Sequence, residues 1–146
     1  MLASLPFSNI LVPVDGSENS NKALDFALNL AKVQKIRITV LYVIHNPAVA
    51  DPSDMSIAKV LEALEQNGKE VLNAARSRAE EAGVEIKTHM KSAFTVANTI
   101  AEYAKDMASD LIVMGTRGRS GIKRILLGSV ASGVLTYANC TVVVVR

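Results

Sequence analysis

Residues 110–130 read Asp110-Leu-Ile-Val-Met-Gly115-Thr-Arg-Gly-Arg-Ser120-Gly-Ile-Lys-Arg-Ile125-Leu-Leu-Gly-Ser-Val130. Leu111 to Met114 form an apolar run with the character of a buried strand, and Gly115 ends it. The loop that follows holds glycines at 115, 118, 121 and 128 and cations at Arg117, Arg119, Lys123 and Arg124. A helical pattern begins at Gly128-Ser129. Strand, glycine-rich basic loop and helix start together suit an anion: backbone N–H groups line the turn, the helix start carries partial positive charge, and glycine permits close approach.

Outward from this stretch, strands alternate with helices. Ile10 to Val14 is a short buried strand, with Pro13 required at its end or where its N–H would be free, because proline lacks a donor. Helix one covers about Glu18 to Lys35, with Ala23, Phe26, Ala27, Leu30 and Ala31 on one face and Asp15 or Ser17 as its cap. Ile36 to Ile44 is a second strand whose unbroken apolar character argues for burial on both faces. His45 to Asp54, with two prolines, is a loop suited to a lid or an interaction surface. Met55 to Ala82 is helical, with Gly68 inside it and Gly83 as its stop. Val84 to Met90 alternates, which places a wetter strand near a sheet edge. Thr95 to Met107 and Ser129 to Tyr137 are the remaining helices, and Cys140 to Arg146 is a last, β-branched strand. Such alternation predicts an α/β, doubly wound fold: a parallel five-stranded sheet with helices on both faces. Ligands of these sheets bind beyond the carboxyl ends of the strands, where the strand order reverses.

Composition narrows the function. At 146 residues the chain is read as a single domain over 1–146. No apolar run approaches the ~20 residues that span a bilayer, so no membrane partner is expected. The first residues lack a basic start and lead into a strand, which argues against a cleaved signal. A lone Cys140 excludes an internal disulfide and fits a cytoplasmic setting; it is expected to be buried and inert. The net charge of +2 is too small, and too local, for a nucleic-acid binder. His45 and His89 have no Cys or acidic cluster at ligand spacing, so no protein-built metal site is expected.

The glycines are spaced as Gly115-x2-Gly118-x9-Gly128-Ser129. With the opening Ile-Leu-Val-Pro-Val-Asp-Gly-Ser at 10–17 and the terminal apolar strand, this pattern resembles the nucleotide-binding branch of the universal stress protein family, from about Asn9 to Arg146. The resemblance implies sheet order 3-2-1-4-5, a Rossmann-like fold of the adenine nucleotide alpha hydrolase type, and binding of ATP, or of AMP or ADP. Mg²⁺ or Mn²⁺ would be carried on the phosphates. Pro13, Val14 and Asp15 would contact the nucleoside, and Val43 would hold adenine through its backbone. Met114 and Gly115 would line base and ribose. Gly118, Arg119, Gly128, Ser129 and Val130 would surround the phosphates, with Arg119 the leading cationic contact; Arg117 is counted among the nucleotide-binding residues, with solvent, a partner or the lid as its competing reading. The resemblance further implies a homodimer through residues 141–145, which would remove an exposed sheet edge. Ala131 departs from relatives that carry a hydroxyl there, and Thr141 stands where many have proline.

Bland readings compete at several positions. Asp15 and Ser129 are each good helix caps, and the four loop cations suit a solvated surface. The expected role is a stress-response signalling or regulatory module that binds ATP, with an unidentified protein partner. The alternative is a slow ATPase or self-phosphorylating enzyme. The loop offers Thr116, Ser120 and Ser129 but no carboxylate to serve as a base, which favours binding.

Overall fold

The computed structural model of the chain describes residues 4–46, 55–116 and 127–146. Its elements are β1 (Asn9–Pro13), α1 (Glu18–Val33), β2 (Arg37–His45), α2 (Met55–Glu81), β3 (Ile86–Ala93), α3 (Val96–Asp106), β4 (Leu111–Gly115), α4 (Ser129–Tyr137) and β5 (Thr141–Val145). All neighbouring strands pair in parallel, in the order β3-β2-β1-β4-β5. The expected Rossmann-like α/β architecture is therefore the observed one. At the centre, Ile10 pairs with Ile38 on one side and Leu111 on the other.

Strand periodicity divides the core between the two faces. Ile10, Val12, Ile38, Val40, Leu111 and Val113 point to one face, where Leu24 and Leu28 of α1 and Leu72 and Ala75 of α2 cover them. Leu11, Leu41, Ile112 and Met114 point to the other, beneath Ile100 of α3 and Val134 of α4. Burial on both faces explains why β1, β2 and β4 read as continuous apolar runs rather than alternating ones.

Element ends show which local interactions win. Pro13 is the last residue of β1, and Val14 N–H still donates to the Leu41 carbonyl at 2.9 Å. Ser17, not Asp15, caps α1: its Oγ accepts from Ser20 N–H at 3.1 Å. Helix α1 stops at Val33, because Gln34 turns out of it to clamp the N-terminal segment. Its Oε1 accepts from Leu5 N–H, and its Nε2 donates to the carbonyls of Leu5 and Phe7. Strand β3 lies later than the reading of 84–90. Gly83 adopts φ +72°, and Val84 N–H bonds back to the Ala79 carbonyl at 3.0 Å, so Val84 belongs to the helix cap. At its other end β3 runs on to Ala93, paired with His45.

Gly68 has a packing role in α2. A Cβ there would lie 2.7 Å from the Met90 methyl and 2.7 Å from the Tyr42 ring, so the glycine lets α2 settle onto β2 and β3. Elsewhere, Asp110 ties the amino end of β1 to β4. Its carboxylate accepts from Ser8 N–H, Ser8 Oγ–H and Asn9 N–H at 2.9, 3.0 and 3.1 Å. Partial burial alone would raise its pKa, but these hydrogen bonds to the ionised form outweigh burial and the net direction is down.

Two stability predictions follow from these contacts. Gly68→Ala gains about 1 kcal/mol of helix propensity but overpacks against Tyr42 at a cost of about 1–3 kcal/mol. The variant should therefore unfold at lower urea concentration, and a more stable variant would contradict the close approach. Asp110→Asn replaces an acceptor by a donor facing N–H groups and should cost about 1 kcal/mol near neutral pH, discounted for exposure. Because the folded-state pKa is depressed, the ionised carboxylate's contribution is present above the unfolded pKa of roughly 4 and is lost as pH falls through the folded value. Urea titrations of the two proteins should converge in acid; a gap independent of pH would rule out the charged clip.

Candidate functional site

A cavity of about 280 Å³ opens at the carboxyl ends of β1, β2 and β4, at the point where the strand order reverses. It is built from short contributions of several elements. Pro13, Val14 and Asp15 leave β1, and Val43 comes from β2. Met114 and Gly115 end β4, and Thr116 follows. Val96 and Ile100 of α3 form one wall, while Gly128, Ser129, Val130 and Ala131 bring in the start of α4. Ser20 of α1 completes it.

The turn after β1 is tightly organised. Asp15 Oδ1 accepts from Ser17 N–H at 2.9 Å, and Gly16 sits at φ +85°, where a side chain would be strained. Ser20 Oγ donates to the Ser17 carbonyl, and Asp15 N–H reaches the Ser20 hydroxyl at 3.4 Å. Asp15 is thus partly engaged as a turn residue while it also lines the cavity. It is the one charged side chain that the described residues place in the lining.

The loop base is held by backbone bonds. Thr116 N–H donates to the Val145 carbonyl at 2.9 Å, and the Thr116 carbonyl accepts from Gly128 N–H at 2.6 Å. The Thr116 side chain is buried, and its Oγ1 accepts from Asn19 Nδ2 at 3.3 Å. Gly115 has a packing reason of its own. A Cβ there would lie 2.9 Å from the Asn19 carbonyl carbon, so the first turn of α1 rests against the end of β4. Similarly, a Cβ on Gly133 would lie 2.5 Å from that of Ala97, which sets how closely the walls α3 and α4 approach.

At α4 the cap reading of Ser129 is corrected. Gly128 occupies the N-cap and makes no side-chain cap bond, and Ser129 is the first helical residue, exposed. The first intrahelical bond runs from Ser132 N–H to the Gly128 carbonyl. Among the described residues no side chain caps the N–H groups of this first turn, and Gly128 to Ala131 line the cavity. Such an end favours an anion both through its donors and through the helix dipole.

The cavity therefore brings together Pro13, Val14, Asp15, Val43, Met114, Gly115, Gly128, Ser129 and Val130. Arg117, Gly118 and Arg119 lie outside the described residues, as do Gly121, Lys123, Arg124 and positions 47–54 of the expected lid. Ser20, Val96 and Ile100 were not singled out as site residues. Val96 and Ile100 are readable only as the inward stripe of α3, whereas Ser20 is a hydroxyl in an otherwise apolar helical stripe, a usable signal. Among the described residues no group of three or more His, Cys, Asp or Glu could hold a metal ion. Cys140 lies at the opposite, amino end of the sheet. It is half-buried rather than buried, and burial, then the nearby Asp110 charge, pushes its thiol pKa up.

Comparison with known proteins agrees with this architecture. The chain is 41% identical over 141 residues to a universal stress protein of Methanocaldococcus jannaschii, an alignment covering 96% of this chain and 82% of that protein. The universal stress protein UspA of Lactobacillus plantarum superposes with a TM-score of 0.87 at 31% identity, over 96% of this chain and 98% of that one. A universal stress protein solved in complex with cAMP superposes with a TM-score of 0.72 at 25% identity, over 96% and 97% of the two chains. The model of the universal stress protein family matches residues 6–146, and the chain belongs to that family.

Proposed function

We propose that this protein binds an adenine nucleotide, ATP in first place, and serves as a nucleotide-dependent regulatory module in a stress response in the cytoplasm. The observation that carries this reading is the placement of a helix start, Gly128-Ser129, in the lining of a largely apolar cavity at the switch point. The chemistry divides accordingly. Val43, Val96, Ile100 and Met114 offer apolar surface to a base, and Val43 would hold it through its backbone. Pro13, Val14 and Asp15 meet the nucleoside, with the carboxylate as acceptor for a ribose hydroxyl. Gly115 lines the base and ribose, and Gly128, Ser129 and Val130 meet the phosphates, joined by Gly118 and Arg119 from the loop. Mg²⁺ or Mn²⁺ would travel on the phosphates, which need no protein carboxylates to carry it. The relative solved with cAMP supports the adenine class of ligand.

Binding is favoured over hydrolysis by what Asp15 does. One of its oxygens is occupied by Ser17 N–H, which suits a fixed contact better than a proton acceptor. The protein is further proposed to pair with a second copy through β5. That strand is an edge of uncharged, half-buried valines, open to self-pairing.

Gly128→Val is compatible with the native backbone, since Gly128 sits at φ −72° and ψ 168°, and its side chain would crowd the proposed anion site. Calorimetry should show ATP affinity reduced by about tenfold or more, equivalent to at least ~1.4 kcal/mol; unchanged affinity would overturn the phosphate assignment. For the dimer, a chain truncated after Asn139 should sediment as a monomer if it remains folded, and a folded truncated dimer would exclude β5 as the interface.

A further inference from the structure

The two edges of the sheet are chemically different. β5 reads Thr-Val-Val-Val-Val and carries no charge, whereas β3 reads Ile-Lys-Thr-His-Met-Lys-Ser-Ala. β3 is also the longer edge, at eight residues against five, and all eight pair with β2. Among the described residues nothing pairs with its outer side.

Its alternation sorts the side chains. Lys87, His89 and Lys91 are exposed on the α3 face, in register with Thr39, Leu41 and Val43. Tyr103 of α3 underlies this stripe. Lys91 Nζ stands 5.4 Å from its ring centroid, and the His89 ring lies 5.8 Å away, tilted by 54°. On the other face, Arg76 reaches from α2 to hydrogen-bond Thr88 Oγ1, and Met90 lines a groove of about 370 Å³ between α2 and the strand. Arg76, Lys87 and Lys91 have no ion-pair partner among the described residues. Glu80 and Glu85 lie toward the amino end of β3, so the positive character grows toward its carboxyl end.

We propose that the outer edge of β3 is a docking site for an acidic, extended segment of another protein. That segment adds to the sheet as a strand, with carboxylates at alternate positions facing Lys87, His89 and Lys91. The unpaired backbone groups of β3 supply sequence-independent hydrogen bonds, and the alternating charges select the partner. Opposite charges placed directly across strands stabilise a pair, and like charges destabilise it. A second copy of this strand is disfavoured for that reason: antiparallel pairing centred on His89 would set Lys87 of each copy opposite Lys91 of the other. Lysines on an edge deter indiscriminate pairing, and the same charges attract a strand that bears carboxylates. A nucleic acid suits the edge less well, because strand carbonyls offer nothing to a phosphate backbone and Tyr103 is buried beneath the stripe.

The test uses the full-length protein and a labelled peptide of alternating glutamate and valine, matched in length to β3, followed by fluorescence polarisation. Saturable binding is expected, weakened by about tenfold when glutamate is exchanged for lysine or when two consecutive central amides are N-methylated. Lys87→Glu together with Lys91→Glu should reverse the preference toward the lysine peptide. The proposal fails if N-methylation changes nothing, since the attraction is then not strand addition. It fails equally if the acidic peptide does not saturate, or if single-stranded DNA displaces it from the same strand. The peptide series on the native protein decides the matter even if the double variant folds poorly.

Discussion

The site depends on one short hydrogen bond, from Gly128 N–H to the Thr116 carbonyl at 2.6 Å. It closes the base of the segment between β4 and α4, and so fixes where the first turn of α4 begins. Thr116 is anchored in turn to the end of β5 through Val145 and to the first turn of α1 through Asn19. The start of α4, the end of β5 and the first turn of α1 thereby meet at one residue. That anchorage positions the N–H groups at the start of α4 relative to Asp15 and Val43. Anion recognition by backbone donors needs such rigidity, because the donors cannot rotate individually to find their ligand.

Close approach is the second constraint. Gly115 admits Asn19, Gly133 admits Ala97, and Gly68 admits Tyr42 and Met90. The first two set the width of the cavity, since they control how near α1 lies to β4 and how near α4 lies to α3. Only glycines allow these separations, so part of the glycine content around the cavity serves packing. Under the proposed function Gly115 would serve the ligand as well.

Most of the fold was legible in the sequence because strands buried on two faces and helices covered on one leave different apolar periods. β1, β2, β4 and β5 were readable for that reason. β3 was misplaced by two to three residues because Val84 looks like a strand residue, yet its N–H is claimed by the helix cap. The pairing order came from the resemblance rather than from periodicity, which says nothing about which strands are neighbours. Within the site, the loop glycines and Asp15 announce themselves by type and spacing. Val43, Val96 and Ile100 do not, because an apolar side chain lining a cavity looks the same in sequence as one filling a core. The role of Thr116 was hidden for another reason: its anchoring contacts are chiefly backbone bonds, to which side-chain identity gives little clue.

The central claim is that the switch-point cavity holds an adenine nucleotide. The most direct measurement is acid extraction of the purified native protein, with mass-spectrometric identification of what it releases, followed by equilibrium dialysis of the emptied protein against ATP and AMP. The account predicts an adenine nucleotide in the extract, or saturable uptake by the emptied protein at one per chain. Release of no adenine nucleotide, together with no uptake of either one, would contradict it.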